Sequence, residues 1–254
     1  MSDAVLTEVQ GGVLIVTINR PEAKNAVNKA VAVGVAAAMD RLDSSDDLQV
    51  GVLTGAGGTF CAGMDLKAFV TGEMPMIEGR GFAGLVEQPP KKPLIAAVEG
   101  YALAGGCELA LASDLIVAAN NSKFGVPEVK RGLAAAAGGL MRLPQQIPYR
   151  IAMEAALTGD FFDAQRAYDL GLINRVAEPG KALETALALA KTIAANGPLA
   201  VKVSKQVVQE SGDWSQAEMW DKQQEIVNPV FSSEDAIEGA TAFAEKRAPN
   251  WKGK

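Results

Sequence analysis

The sequence contains no histidine, and it contains only two cysteines, Cys61 and Cys107. Without histidine there can be no Ser-His-Asp triad, no histidine base and no histidine-ligated zinc. Two cysteines cannot form a metal cluster alone and do not suggest a disulfide framework, which predicts a reducing, cytoplasmic location. Any acid–base chemistry near neutral pH must therefore use carboxylates, lysine, tyrosine or cysteine.

Positive charge and long apolar stretches are also scarce. The 254 residues carry 24 Lys and Arg against 30 Asp and Glu, a net charge of −6, which argues against nonspecific binding to nucleic acid or anionic membranes. The longest stretch without a charge, residues 48–64, contains five glycines and is neither long nor apolar enough to span a bilayer. The N-terminus has no basic segment followed by an apolar one, so we predict no signal peptide.

Strands and helices alternate through the first two-thirds of the chain, which favours parallel strands with helical crossovers. The strand predictions are Val13–Ile18, Gln49–Thr54, Leu94–Val98, Asp114–Ala118 and Ser122–Phe124, with a helix at 27–42 and an apolar helix at 107–112. Residues 73–92 mix Gly, Met and charged residues and predict a mobile connection. From Ala137 onward the pattern is helical almost throughout. Its last four predicted helices are 181–195, 198–211, 214–228 and 233–245, the last two with Asp213 and Ser233 as caps.

Glycine-rich turns follow several of these strands. The turn at Gly55–Gly58 lacks the third glycine of a dinucleotide fingerprint, because Phe60 occupies that position, so a tight turn is the better interpretation. No phosphate-binding P-loop motif occurs. The segment from Phe60 to Lys67 either lets a ligand approach its backbone, with free N–H groups at a helix start, or is ordinary helix entry capped by Asp65.

Two glutamates are candidates for acid–base chemistry. Glu108 follows Gly105-Gly106 in the first turn of an apolar helix, where it either serves the helix dipole or is buried with a raised pKa. Glu128 follows a short strand 20 residues later, and taken alone it fits a solvated loop residue. Two carboxylates facing one water could share general acid and base work. The hypothesis of a site requires the two turns and the two glutamates to converge.

These segments together resemble the crotonase superfamily, the enoyl-CoA hydratases and isomerases. The resemblance runs from about Val13 to Lys252. Its main pieces are TGAGGTFCAGMDLK (54–67), PLIAAVEGYALAGGCELALASDLIVA (93–118), FGVPEVKRGL (124–133) and FAEKRAP (243–249). Each segment alone is weak evidence for the family, but the order and spacing of all of them together are specific to it. The tail from Ser232 to Lys254 also looks like the carnitinyl-CoA dehydratase branch.

The resemblance implies an α/β fold with a crotonase-like ββα spiral core at 1–195 and a C-terminal helical trimerisation region at 196–254. It implies an oxyanion hole made by the N–H groups of Ala62 and Gly105, with Glu108 and Glu128 as the catalytic pair. Coenzyme A is expected along Lys24, Ala26, Met64, Asp65, Leu66 and Lys67, with Phe243 and Lys246 reaching its nucleotide end from a neighbouring subunit. No metal or separate cofactor is implied, since CoA arrives on the substrate, and the assembly is a homotrimer or a dimer of trimers.

The function that the resemblance implies is reversible addition of water to trans-2-enoyl-CoA thioesters. Isomerisation of the double bond, dehydration of carnitinyl-CoA and acyl-CoA binding without turnover stay open as alternatives. Three positions depart from the family pattern: Ala135 replaces a common proline, Ala136 a glycine frequent in hydratases, and Glu99 an asparagine. The first two put the placement of water in doubt. Glu99 would matter if it faced the pair, although a solvated side chain is expected.

Overall fold

A computed structural model describes residues 3–254 of the chain. Its strands are β1 Val5–Gln10, β2 Val13–Ile18, β3 Val50–Gly55, β4 Met76–Ile77, β5 Gly81–Phe82, β6 Leu94–Val98, β7 Tyr101–Leu103, β8 Leu115–Ala119, β9 Lys123–Gly125, β10 Phe162–Asp163 and β11 Arg175–Ala177. Its helices are α1 Lys29–Ser44, α2 Leu66–Val70, α3 Gly105–Leu111, α4 Gly139–Gln146, α5 Tyr149–Thr158, α6 Ala164–Asp169, α7 Ala182–Ala194, α8 Pro198–Glu210, α9 Met219–Phe231 and α10 Glu234–Glu245.

The main sheet has six strands in the order β1-β2-β3-β6-β8-β11. Strands β2, β3, β6, β8 and β11 are parallel, and β1 pairs antiparallel with β2 at the edge. The parallel strands read as nearly unbroken apolar runs because helices cover both faces. The larger core cluster lies on the face of the sheet covered by α1 and continues beneath α3, α5 and α6, and a smaller cluster lies between the sheet and α7.

A second sheet of three short strands, in the order β10-β9-β7, lies beyond the carboxyl end of β6 and β8. Each of the strands β6 and β8 is thus followed almost at once by a strand of the second sheet. Helix α3 leaves β7, and a 3₁₀ turn at Pro127–Arg131 leaves β9. This arrangement places the two glutamate-bearing turns on neighbouring parallel strands, Tyr101–Leu103 and Lys123–Gly125.

Several sequence predictions are wrong in detail. Residues 73–92 are more than a connection: they contain the β4–β5 pair, and Phe82, Ala83, Leu85 and Val86 are buried in the core. Strand β1 was not predicted, and β10 and β11 interrupt the segment predicted to be helical almost throughout. Ser233 does cap α10, since its hydroxyl accepts from the Ala236 N–H at 3.0 Å. Asp213 lies in a 3₁₀ turn, and α9 begins only at Met219.

Glu99 adopts a different role from the expected solvated one. Its carboxylate accepts hydrogen bonds from the backbone N–H groups of Gly180 at 3.1 Å and Ala182 at 2.9 Å. These donors are at the start of α7, whose first N–H groups have no acceptor within the helix. Glu99 therefore ties the end of β6 to α7, and its carboxylate does not face the glutamate pair. The domain boundary at 195/196 stays a prediction.

Candidate active site

Glycines bring the two predicted turns into contact. A Cβ atom at Gly106 would lie 2.1 Å from the Cys61 carbonyl oxygen, and one at Gly63 would lie 2.8 Å from the Ala104 Cβ. No larger residue fits at these two positions without movement of the backbone. The turns also pair directly, because the Leu103 N–H donates to the Cys61 carbonyl at 3.1 Å. The segment before α2 therefore lies against the N-terminus of α3.

Some backbone N–H groups at this junction already donate to an acceptor within the protein, and others do not. The Ala62 N–H donates to the Lys24 carbonyl at 3.0 Å, which contradicts its predicted role in the oxyanion hole. Within residues 3–254, the N–H groups of Met64 and Gly105 have no acceptor. Val27 bonds the neighbours of Met64 on one side, so the Met64 N–H points to the other side. Met64 and Gly105 therefore supply two free N–H donors, one from each turn, at this junction.

Glu108 lies in the first turn of α3 and is 3% exposed. Its Oε1 accepts hydrogen bonds from the N–H groups of Ala137 at 2.7 Å and Gly139 at 2.9 Å. Burial raises the pKa of this carboxyl, and the two N–H groups and the charge of Arg142 oppose that rise. The alanine-rich segment that departs from the family pattern thus supplies an N–H to Glu108.

Glu128 has a very different environment in the 3₁₀ turn after β9. Its Oε2 is buried and has no hydrogen-bond partner in the described part of the chain. Burial raises the pKa of Glu128 from 4.5 to about 7, and the nearby charge of Glu108 adds to the rise. Near neutral pH this carboxyl therefore carries a proton for part of the time. The two glutamates differ in environment, since two N–H groups from another segment hold Glu108 while Glu128 keeps one buried oxygen without a partner.

Both glutamates line one cavity of about 520 Å³. Ala62, Met64 and Gly105 line it as well, so the unbonded N–H groups and the carboxyls face the same space. The remaining lining is largely apolar, and its large side chains are Leu66, Phe69, Met74, Met76, Phe82, Leu103, Leu133 and Phe161. The convergence required by the sequence analysis is present. An apolar cavity with a few convergent polar groups is typical of a small-molecule site.

The residues expected to hold CoA fall into two groups. Met64, Asp65 and Leu66 follow the turn, but the Asp65 side chain is already engaged. Its Oδ1 caps α2 through the Lys67 and Ala68 N–H groups, and its Oδ2 pairs with Arg20 at 2.9 Å. Burial raises the pKa of Asp65, yet Arg20 and the backbone donors outweigh it and hold the pKa below its usual value. Both interpretations of this segment hold in part, since it caps a helix and lines the cavity.

Asp65 and the remaining predicted contacts lie outside the cavity lining of the single chain. Lys24 is exposed, with its amine 5.5 Å from the centre of the Tyr101 ring. The Ala26 carbonyl accepts from Arg20 at 2.6 Å, and Lys67 is exposed on α2. Phe243 is 87% exposed near the end of α10, and Lys246 follows that helix.

Sequence reasoning missed several residues of the site. Phe82 was assigned to a mobile connection, although its ring packs where a Cβ at Gly105 would lie, only 2.5 Å from Phe82 Cζ. Phe161 and Arg142 were also missed. A signal was present for Arg142 in the spacing Gly138-Gly139-x-x-Arg142, which places the guanidinium one helical turn from the Glu108 donors. Within the described residues, no group of three or more His, Cys, Asp or Glu is placed to hold a metal ion.

The fold and this cavity define a class of α/β protein in which two buried glutamates and unbonded backbone N–H groups line one largely apolar cavity. The chain belongs to the enoyl-CoA hydratase/isomerase family, whose pattern matches residues 8–254, and it has the crotonase fold. It is similar to the enoyl-CoA hydratase EchA19 of Mycobacterium tuberculosis, with 43% identity over 98% of this chain and 96% of that protein. It is also similar to the carnitinyl-CoA dehydratase of Proteus mirabilis, with 39% identity over the full length of both.

Solved structures give the same assignment of fold. The crystal structure of enoyl-CoA hydratase EchA1 from Mycobacterium marinum superposes with a TM-score of 0.98 at 62% identity, and the match covers all of both chains. A carnitinyl-CoA dehydratase from Mycobacterium avium superposes with a TM-score of 0.79 at 45% identity, again over all of both chains.

Proposed function

We propose that the protein is an enoyl-CoA hydratase that adds water reversibly to trans-2-enoyl-CoA thioesters. The observation that carries this proposal is the pair Glu108 and Glu128, which face one cavity together with two unbonded backbone N–H groups. The family supports it, because relatives along the whole chain are named enoyl-CoA hydratase and carnitinyl-CoA dehydratase. Both names describe the addition or removal of water at an acyl thioester.

The geometry supports a role for each group in this proposal. The Met64 and Gly105 N–H groups would hold the thioester carbonyl oxygen, and they would stabilise the negative charge it gains as water attacks. Glu108 is the better base, since two N–H groups and the charge of Arg142 favour its ionised form. It would take a proton from water as the oxygen bonds to the β-carbon.

Glu128 is the better acid, because its pKa is raised to about 7 and nothing else in the described chain satisfies its Oε2. It would deliver its proton to the α-carbon as the enolate collapses and the carbon–carbon double bond becomes single. Glu108 then carries the proton taken from water, and exchange with solvent restores both glutamates. The reverse sequence removes water from a 3-hydroxyacyl thioester.

The proposal is tested by Glu108→Gln and Glu128→Gln, which keep the side-chain shape and remove the titratable group. Loss of general acid or base help costs about 10²–10⁴-fold in rate, so each variant should lose about that much activity on crotonyl-CoA. The measurement is the loss of absorbance of the enone thioester. Glu154→Gln, an exposed position on α5, is the matched control and should turn over normally.

Three other outcomes separate the alternatives. Full activity of both glutamine variants would show that these residues are not the acid and base. Activity of Glu108→Gln on a 3-enoyl-CoA, with Glu128→Gln inactive, would indicate an isomerase. Tight binding of crotonyl-CoA by the unaltered protein without any product would indicate an acyl-CoA-binding protein. Comparison of carnitinyl-CoA with 3-hydroxybutyryl-CoA as the substrate for dehydration distinguishes the remaining branch.

Assembly and location belong to the same proposal. We propose a homotrimer, or a dimer of trimers, in which Phe243 and Lys246 of one subunit approach the CoA of another. The two cysteines are both free and buried, and burial raises the pKa of each thiol to about 12. Such inert thiols fit a reducing compartment, and we place the protein in the cytoplasm. No helix in residues 3–254 is long and apolar enough to cross a membrane.

A further inference from the structure

Arg131 is the one lysine or arginine in the described part of the chain that lines the cavity of the two glutamates. It ends the 3₁₀ turn Pro127–Arg131, which also carries Glu128. Residues three apart in a 3₁₀ turn lie one above the other, separated by about 6 Å along the axis of the turn. The backbone therefore places Arg131 and Glu128 on the same face of the turn, and both line the cavity.

The guanidinium of Arg131 makes no hydrogen bond and no ion pair within the described chain, unlike the cations near it in the sequence. Lys130 donates to Asp160 at 2.6 Å, and Arg142 donates to the Val86 carbonyl at 2.6 Å. A guanidinium has five N–H donors in a planar fork that fits a carboxylate. These donors of Arg131, an exposed residue, remain available to a ligand.

The charge of Arg131 extends into the cavity. Burial raises the pKa of Glu128 to about 7, and the charge of Arg131 opposes that rise. The rest of the lining is largely apolar, so an anionic group that enters the cavity loses water and requires a cation as its partner. A guanidinium and a carboxylate pair through two parallel, charge-assisted hydrogen bonds. A carboxylate is therefore the anion that this cavity suits best.

We infer that Arg131 is a specificity-determining residue that binds a carboxylate at the far end of the acyl group, so that the substrate is the CoA thioester of an unsaturated dicarboxylic acid. The inference rests on the proposed function and specifies its substrate class. In the proposed mechanism Glu128 acts at the α-carbon, and a guanidinium about 6 Å farther along the turn matches a carboxylate a few bonds beyond the double bond. The same positive charge opposes a cationic acyl group, such as the trimethylammonium of carnitinyl-CoA.

A pair of six-carbon substrates tests this inference. The acyl chain of trans-2-hexenedioyl-CoA ends in a carboxylate, and that of trans-2-hexenoyl-CoA ends in a methyl group. Arg131→Met keeps an unbranched side chain and removes the charge. We expect kcat/KM for hexenedioyl-CoA, divided by kcat/KM for hexenoyl-CoA, to fall about 10–100-fold, because hydrogen bonds to a charged group are lost. The ratio removes any change at Glu128 that affects both substrates equally.

Two further variants control the experiment. Arg131→Lys keeps the charge but loses the planar fork, so the ratio should fall by a smaller factor than in Arg131→Met. Lys130→Met removes the preceding cation, which pairs with Asp160 and does not line the cavity. The ratio should be unchanged in Lys130→Met.

Binding of the saturated thioesters adipoyl-CoA and hexanoyl-CoA, measured by calorimetry, separates this inference from the proposed function. If the original protein hydrates neither unsaturated substrate, the proposed function is wrong, but a selective loss of adipoyl-CoA affinity in Arg131→Met still supports the inference. An unchanged preference between the two thioesters in Arg131→Met would overturn it. An equal loss of affinity for both would also overturn it, because Arg131 would then contact a phosphate of CoA, which the two ligands share.

Discussion

Each glutamate of the site is defined by the donors near it rather than by its residue type. Two N–H groups, from Ala137 and Gly139, hold Glu108 in one orientation. Glu128 has a buried oxygen without a partner, and an unsatisfied polar atom of this kind is unfavourable unless a substrate or water completes it. In the proposed mechanism, Glu108 is oriented to accept a proton and Glu128 is placed to donate one.

The raised pKa of Glu128 predicts how activity depends on pH. If Glu128 acts as the acid, kcat/KM for crotonyl-CoA hydration should fall as the pH rises past about 7, because the free enzyme then loses the proton that the α-carbon requires. The measurement is a pH–rate profile from about pH 5 to about pH 9. A flat profile through pH 7 would exclude a proton on Glu128 as the limiting requirement.

Thermal unfolding gives an independent control for the same carboxyl. The folded pKa, about 7, lies above the ordinary value of 4.5, so the folded protein keeps a proton that the unfolded chain has released. Stability from this source is present at low pH and is lost as the pH rises through that window. Glu128→Gln has no such loss, and its unfolding temperature should improve relative to the original protein between about pH 5 and about pH 8.

The sequence predicts the side chains of the site better than it predicts the backbone donors. Glu108 and Glu128 were identified from residue type and spacing, because carboxylates in glycine-rich turns are visible in a sequence. Whether an N–H is free depends on a partner far along the chain: Lys24 occupies the Ala62 donor, while Val27 leaves the Met64 donor unbonded. That pairing is a property of the tertiary structure.

At the scale of elements, carboxylate caps hold the site segments in place. Asp65 caps α2 and pairs with Arg20, whose guanidinium also binds the Ala26 carbonyl. This connects the segment carrying the Met64 N–H to the turn after β2. Glu99 caps α7 on the opposite side of the sheet. The two caps are alike chemically, but only the first is adjacent to the cavity.

Asp65→Ala should therefore reduce both stability and activity. Loss of a helix N-cap costs about 0.5–2 kcal/mol, and loss of the pair with Arg20 frees the segment that carries the Met64 N–H, one of the two proposed oxyanion donors. We expect the free energy of unfolding to fall by about 1–2 kcal/mol. We also expect kcat to fall by a larger factor than the affinity for butyryl-CoA. Urea unfolding and steady-state kinetics provide the two measurements.

Glu99→Ala is the matched control for Asp65→Ala. It removes a carboxylate cap of α7 and should lower the free energy of unfolding by a similar amount, about 1–2 kcal/mol, without reducing kcat. A loss of kcat in Glu99→Ala equal to that in Asp65→Ala would show that general destabilisation, and not the position of the Met64 segment, explains the effect.

The sequence predicts an element well when the element has a clear local pattern, such as a continuous apolar run. Strands β2 and β6 match their predicted limits, since buried parallel strands are continuous apolar runs. Strand β1 was missed because it lies at the sheet edge, where five of its six residues are exposed and no buried apolar run marks it. The β4–β5 segment was missed because its glycines indicate a loop, while Phe82 and Leu85 are buried by contacts distant in sequence.

The whole molecule presents apolar surface that a single chain leaves uncovered. On α9 and α10, Trp220, Phe231, Ile237 and Phe243 are each more than 60% exposed. Helix α10 is bonded to the segment that follows it. Arg247 bonds both carboxylate oxygens of Glu238 at 2.6 and 2.9 Å, and Asp235 accepts the N–H groups of Lys252 and Gly253. Exposed apolar side chains gathered on neighbouring helices are typical of subunit contacts.

We expect the full chain to form a trimer or a dimer of trimers at micromolar concentration, as measured by light scattering. The double variant Ile237→Asp, Phe243→Asp should shift the mass toward the monomer, because burying two new charges opposes association. Thr192→Asp adds one charge at an exposed position of α7, away from α9 and α10, as a control and should leave the mass unchanged. A stable monomer of the unaltered chain would contradict the proposed assembly.

Lys246 provides the last test, because the proposed assembly and the proposed ligand meet at this residue. An acidic protein that binds the phosphates of CoA needs local positive charge, and Lys246 is exposed beyond α10, outside the cavity of its own chain. Lys246→Ala should weaken butyryl-CoA binding more at low salt than at high salt, since exposed charges are screened over about 10 Å at 0.1 M salt. Lys191→Ala removes an exposed lysine of α7 as the control.

If Lys246 contacts the CoA of a neighbouring subunit, the effect of Lys246→Ala should depend on assembly. In the dissociated double variant, Lys246 can no longer reach another chain, so adding Lys246→Ala there should not weaken binding further. Calorimetry of butyryl-CoA binding is carried out on the original protein, on Lys246→Ala, on the dissociated double variant and on that variant with Lys246→Ala added. The four affinities show whether the effect of Lys246→Ala depends on assembly. If Lys246→Ala weakens binding equally in the assembled and dissociated proteins, the lysine acts on its own chain. If it has no effect in either at low salt, Lys246 does not contact CoA at all.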